Sequence, residues 1–117
     1  MAVKKSGRLV LFRFPQTDLL PGKLRPALLL APLPSGHHDW LVCMISTQIA
    51  QAVPGVDEVF NADDADFAKT GLKSASVIRL TRLAVVSDSI FFGVIGEISA
   101  ARLGGLKKRF AQWIESS

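Results

Sequence analysis

Only one thiol occurs in the 117 residues, Cys43, so no disulfide can close within the chain. It lies inside the apolar run Trp40 to Ile45, the setting of a buried core thiol, and a chain without a disulfide fits the reducing cytoplasm. No apolar run reaches the roughly 18 residues that a membrane span needs. The short patch Leu9 to Phe12 is bracketed by Arg8 and Arg13 and no small-residue cleavage site follows it, which argues against a signal peptide. Internal repeats and low-complexity tracts are also missing. With 49% hydrophobic residues, the composition predicts one globular domain over residues 1–117.

The familiar marks of several chemistries are absent as well. There is no nucleophile elbow, no phosphate-cradling glycine loop and no dinucleotide fingerprint, since Gly93-Val94-Ile95-Gly96 has the wrong context. His37 and His38 adjoin Asp39, but no further ligand cluster accompanies them, so neither a metal site nor a cofactor is expected. Asp63, Asp64 and Asp66 read as a solvated acidic loop rather than an acid–base pair.

What is present is an uneven distribution of charge. The formal net charge is +4, which permits an anionic partner without naming one. From the N-terminus to Arg25, Lys4, Lys5, Arg8, Arg13, Lys23 and Arg25 face a single acid, Asp18, whereas Asp57, Glu58, Asp63, Asp64 and Asp66 gather later. Each cluster is either a solvated face or a partner surface.

Gly22-Lys23-Leu24-Arg25-Pro26-Ala27-Leu28-Leu29-Leu30 joins a basic turn directly to an apolar run. Proline disfavours the helical region for the residue before it and has no N–H for a sheet ladder. Arg25 should therefore be extended at the mouth of a strand, with Pro26 at its first position. An uncompensated buried charge is costly, so Arg25 either pairs with a carboxylate such as Asp18 or faces something anionic.

Taken in order, Arg8 to Phe14 alternates as a half-buried strand, with Val10, Phe12 and Phe14 on one face. Gln16 to Lys23 is a turn-rich connection long enough to cover a site. Ala27 to Ala31 reads as a core strand buried on both faces, and after a loop over Pro32 to Asp39, Trp40 to Ile45 is a strand running into Ser46-Thr47-Gln48. Val56 to Phe60 is a short strand, Asn61 to Lys69 an acidic loop or helical turn. Ser76 to Leu80 and Leu83 to Val86 are two strand pieces or one bent strand. Ile90 to Ile98 is a final strand in which Gly93 and Gly96 mark bulges or close approaches. Ser99 caps a helix carrying Leu103, Leu106, Phe110 and Trp113 or Ile114, with Ile98 and Leu103 as a hydrophobic staple. Gly104 and Gly105 weaken that helix, so it should depend on docking, or they permit close packing. Short strands at this spacing predict a mainly β fold, a small barrel or sandwich closed by one helix.

The chemistry-bearing residues that remain are Arg25, the Ser46-Thr47 hydroxyls and Arg79 at the end of Val77-Ile78. Strand ends can bring these to one rim, where two guanidinium groups and hydroxyls would bind phosphate. Equally, Arg79 could pair with an acid of segment 57–66.

In order and spacing, several segments resemble the MazF/PemK (Kid) toxins of bacterial type II toxin–antitoxin systems: Gly7 to Pro15, Thr17-Asp18-Leu19, Gly22 to Leu28, Ile45 to Gln48, Gly71-Leu72, Ser76 to Arg79, and Ile95 to Ser99. The Gly-Lys-x-Arg-Pro-Ala element, Gly22 to Ala27, is the most recognisable of them. The resemblance implies a small SH3-like β-barrel of PemK/CcdB type with a C-terminal helix, a homodimer, and metal-independent, sequence-specific cleavage of single-stranded RNA, the activity of an mRNA interferase. It also implies neutralisation by an antitoxin whose acidic, partly disordered tail fills the RNA groove. Arg25 would match the catalytic arginine that stabilises the phosphorane formed when a ribose 2′-OH attacks its own phosphate. Ser46 or Thr47 would match a strand-end threonine; aligning on Gln48 gives Ser46, which keeps the hydroxyl and loses the methyl group that restricts its rotamer. Lys23, Gln48, Arg79 and Thr81 would contact RNA. Thr81 stands where PemK-like members carry aspartate, and Arg8 where an aspartate usually follows the opening glycine, which leaves Asp18 as the carboxylate able to act as base. The related CcdB family of gyrase inhibitors supplies the alternative, a toxin that binds protein, or a catalytically degenerate regulator on the same fold.

Overall fold

The computed structural model describes residues 5–13, 23–35 and 38–117. Phe14, Asp18, the rest of the connection 14–22 and His37 lie outside the described residues. The elements are strands β1 (Arg8–Arg13), β2 (Leu24–Pro32), β3 (Asp39–Ser46), β4 (Glu58–Phe60), β5 (Ser76–Ser87) and β6 (Gly93–Glu97), then helix α1 (Ala100–Ser116). Short 3-10 turns at Ile49–Gln51, Phe67–Thr70 and Asp88–Ile90 join them. The strands form one antiparallel curled sheet in the order β4-β5-β3-β2-β1-β6. This is the expected mainly β barrel-like architecture with a C-terminal helix.

The central strand shows why the sheet needs cover on both sides. Successive side chains point to opposite faces, so Leu28 and Leu30 enter one cluster with Leu9, Cys43, Ile45, Ile78 and Leu106. Ala27 and Leu29 enter a second with Val10, Phe12, Trp40 and Val42. The unalternating run is thus buried twice over. The same division corrects the reading of β1 as half buried: Leu9 goes to one cluster and Val10 and Phe12 to the other, all fully buried.

Several boundaries differ from the sequence expectation. β2 starts at Leu24, three residues before Ala27, because Leu24, Arg25 and Pro26 pair with Arg13, Phe12 and Leu11 of β1. Arg25 is therefore inside a strand rather than at its mouth. Pairing with β3 begins only at Ala27 opposite Met44, so Pro26 falls where β2 is paired on one side and its missing N–H costs least. β6 is shorter than Ile90 to Ile98, since Asp88–Ile90 closes a 3-10 turn first. The pieces of β5 are one strand of 12 residues with a break in register.

The sheet's two edge strands, β4 and β6, are bridged by the Phe67–Gly71 segment. A Cβ on Gly96 would overlap the Thr70 backbone, and one on Gly71 would overlap the Ile95 carbonyl. Gly71 also has φ +72°, a conformation that a side chain strains. Gly96 is thus a close approach, as its place in the sequence suggested, while a Cβ on Gly93 meets nothing.

α1 covers the first cluster. The Ser99 Oγ accepts the Arg102 N–H at 3.1 Å, Ile98 and Leu103 pack in the same cluster as the expected staple, and Leu106 is fully buried. A Cβ on Gly104 would meet open space and one on Gly105 only the Arg109 guanidinium at 3.6 Å, so the glycines serve no close packing and docking must hold the helix. Much of that docking is ionic. Arg102 Nε bonds Asp66 at 2.9 Å, Nη1 bonds Glu58 at 3.0 Å and Nη2 bonds Asp64 at 3.0 Å. The same guanidinium lies 3.8 Å from the centre of the Phe60 ring, and Arg109 bonds Glu58 at 2.6 Å. Much of the acidic middle is therefore neither a solvated face nor a partner surface, because it clamps the helix to the sheet.

The hydrogen bond from Arg102, with its charge, holds the Asp66 carboxyl below its ordinary value of 3.8. A carboxylate whose pKa is depressed on folding adds stability above its unfolded pKa and loses it as pH falls through the folded one. Arg102→Ala should lower stability, since three carboxylates lose their shared cation and the helix a docking contact. Chemical denaturation between pH 3 and 7 checks both effects: the wild type should weaken below about pH 4, and the variant should lose much of that pH dependence.

Candidate functional site

The face of the sheet opposite α1 carries a cleft of about 560 Å³ lined by Lys23, Arg25, Met44, Ser46, Gln48, Gln51, Arg79, Arg82, Leu83 and Ala84. It opens where β2 and β3 stop pairing. Their ladder begins at Ala27 opposite Met44, so Arg25 and Ser46, two residues further out on each strand, flank a gap instead of a hydrogen-bonded pair. Both share a face with Ala27, Leu29 and Val42, the side of the second cluster.

Among the described residues four cations line this cleft and no carboxylate does. Arg25 is half-buried and makes no hydrogen bond or ion pair among the described residues. Such a guanidinium has five donors and no counter-charge, which suits it to a bidentate anion. Ser46 is 8% exposed, and its Oγ accepts the Gln48 N–H at 3.0 Å. That bond fixes the rotamer which a threonine methyl would otherwise restrict, and leaves the Ser46 O–H proton free to donate.

Arg79 is held differently. Its Nη1 donates to Gln51 Oε1 at 3.0 Å, and its Nε lies 3.9 Å from the fully buried carboxylate of Asp57. Arg79 thus pairs with an acid of segment 57–66, one of the two expectations for it, and at the same time lines the cleft.

The other sequence candidates separate. Lys23 and Gln48 line the same cleft and are exposed. Thr47 points to the opposite side, into an apolar notch of about 370 Å³ with Leu24, Pro26, Leu72 and Ile95. Strand alternation thus sends Ser46 and Thr47 to different sites. Thr81 is exposed in the register break of β5 and does not line the cleft. Asp18 lies outside the described residues. Arg8, the other departure, sits 4.0 Å from Glu97 at the pairing of β1 with β6, and Arg13 lies 5.6 Å over the Phe92 ring. Only part of the basic head therefore reaches the cleft.

Sequence reasoning missed Arg82 and Gln51. Arg79 and Arg82 are three apart, and in an unbroken strand they would point to opposite faces. Between Met44 opposite Arg79 and Cys43 opposite Leu83, however, β5 carries three extra residues, and this turns both arginines to one cleft. The division of the sequence into Ser76–Leu80 and Leu83–Val86 marks the place of that break, but nothing in the linear pattern shows that it brings both arginines to one cleft.

The family of PemK-like, MazF-like toxins of type II toxin–antitoxin systems matches residues 5–114. The chain belongs to this family. Among solved structures it is similar to the Mycobacterium tuberculosis toxin MazF-mt6, with TM-score 0.68 and 16% identity over 92% of this chain and 96% of that one. It is also similar to an endoribonuclease in complex with its cognate antitoxin from mycobacterial species, with TM-score 0.69 and 9% identity over 97% and 96% of the two chains. No curated protein matches it by sequence. At these identities the structures establish the shared toxin fold, and the family match carries the membership.

Among the described residues no three His, Cys, Asp or Glu side chains converge to hold a metal ion. Cys43 is fully buried, and that burial, with the Asp57 charge adding to it, pushes its thiol up to about 12. The thiolate is the reactive form, so Cys43 plays no nucleophilic part. Iodoacetamide at pH 8 should leave the native protein unlabelled and modify Cys43 once denaturant unfolds it, as intact mass would show.

Proposed function

We propose that this family member is the toxin of a type II toxin–antitoxin system and acts as a metal-independent, sequence-specific endoribonuclease on single-stranded RNA. The observation that carries the reading is Arg25, a half-buried guanidinium with no counter-ion among the described residues, in a cleft lined by four cations beside the Ser46 hydroxyl. A phosphodiester supplies the missing charge.

Cleavage proceeds by attack of the ribose 2′-oxygen on the adjacent phosphorus. The P–O5′ bond breaks, leaving a 2′,3′-cyclic phosphate on one fragment and a 5′-hydroxyl on the other. Charge grows on the non-bridging oxygens as the fifth bond forms, and a preorganised guanidinium stabilises that state more than the ground state. Ser46 donates its O–H to the same phosphate; Arg79, Arg82, Lys23 and Gln48 hold the flanking strand. Asp18 takes the 2′-OH proton in this scheme, and solvent water gives the departing O5′ the proton that makes it a hydroxyl. The four cations also complement an acidic antitoxin segment, a partner type in keeping with the antitoxin complex formed by one structural neighbour. A homodimer and a cytoplasmic location complete the proposal; no described helix is long and apolar enough to cross a membrane.

Purified protein incubated in EDTA with a pool of single-stranded RNA should yield cyclic-phosphate fragments, while the same sequences in DNA stay intact for want of a 2′-OH. Arg25→Ala should slow cleavage about 100- to 1,000-fold, and Ser46→Ala roughly 10- to 100-fold, with Thr47→Ala close to wild type. A fully active Arg25→Ala enzyme would sink the assignment. Growth arrest without RNA cleavage would favour the protein-binding, CcdB-like reading instead.

A further inference from the structure

We propose that Asp57 is a positioning residue that sets Arg79 and Arg82 in the cleft, an inference that rests on the endoribonuclease reading of that cleft. Asp57 is the one charged residue among the described residues that counts as buried, and its side chain has no exposure. A carboxylate so placed must be compensated. Its Oδ2 accepts the Val53 N–H at 2.9 Å and its Oδ1 accepts the Leu80 N–H at 2.9 Å. Leu80 is the first of the three extra residues that break the register of β5 against β3. The second bond therefore ties down the break itself, and with it the turn that presents Arg79 on one side and Arg82 on the other.

The carboxylate also acts through its charge. With both oxygens occupied by backbone N–H groups, it stands 3.9 Å from Arg79 Nε without a hydrogen bond to it, and that Nε has no other partner. Gln51 takes Nη1 at 3.0 Å. Attraction from below and one hydrogen bond from the side fix the plane of the guanidinium and leave its remaining donors to the cleft. Asp57 does not line the cleft, so it touches no substrate. Gln51 is brought into the same arrangement by the 3-10 turn Ile49–Gln51, which ends just before the loop that Asp57 closes through Val53.

The test is a double-mutant cycle on RNA cleavage with Asp57→Asn, Arg79→Gln and the pair, folding being checked by thermal melting. Asp57→Asn keeps the size, removes the charge and turns one of the two acceptor oxygens into an N–H donor, so cleavage should fall on the order of 10- to 100-fold, the cost of a misplaced group. In the Arg79→Gln background the same change should cost clearly less, because one of the two groups it positions is gone. Equal losses in both backgrounds would mean a merely structural carboxylate and would overturn the proposal. The Arg79 Nε–H resonance of the wild-type protein gives a second readout that needs no variant to fold and no cleavage. A slowly exchanging, sharp signal supports a held guanidinium, and rapid solvent exchange overturns it. A wild-type protein that cuts no RNA would defeat the endoribonuclease reading while leaving this second readout to decide the placement of Arg79.

Discussion

Much of the site depends on a break in one ladder. β5 pairs regularly with β3 on either side of Leu80–Arg82, yet between them three residues have no opposite number. An unpaired stretch in a sheet leaves backbone groups that need partners, and the buried Asp57 carboxylate supplies one by accepting the Leu80 N–H. The strand bends there, and two arginines that strand periodicity would place on opposite faces come to line one cleft. A charge in the core is normally a liability. Here it is matched by two backbone donors and by the arginine that it helps to place.

The charges divide the molecule into two working sides. On the α1 side, Glu58, Asp64 and Asp66 converge on Arg102, so acids and bases cancel and the helix is docked. On the other side, Lys23, Arg25, Arg79 and Arg82 gather, and among the described residues no acid lines the same space. Opposite charges within a hydrogen bond of one another stabilise a fold; like charges held together do not, and persist only where the scaffold imposes them. That asymmetry is what the proposed function rests on, while the helix is docked by its paired charges.

A good part of this was legible in the chain. Pro26 after Arg25 forces extension, the apolar run behind it requires burial on both faces, Ser99 is placed to cap, and the Ile98–Leu103 staple follows from spacing. Each is a local constraint, written in neighbouring residues. The choice between Ser46 and Thr47 needed only strand alternation plus the knowledge of which face was open, and that second fact is not local. The fate of the acidic segment was also out of reach, because its partner Arg102 is 36 residues from Asp66 and 44 from Glu58, and no periodicity links them.

Arg25 is where the two kinds of information meet. The sequence alone determined that it is extended, adjoins a buried strand and requires either a carboxylate or an anionic ligand, since backbone sterics and the cost of burying charge act on the residue and its neighbours. Only the tertiary structure decided that β2 and β3 part beside it, that Ser46 stands across the gap, and that Arg79 and Arg82 reach the same space. Those outcomes depend on register, and register is set by the whole sheet rather than by any one of its strands.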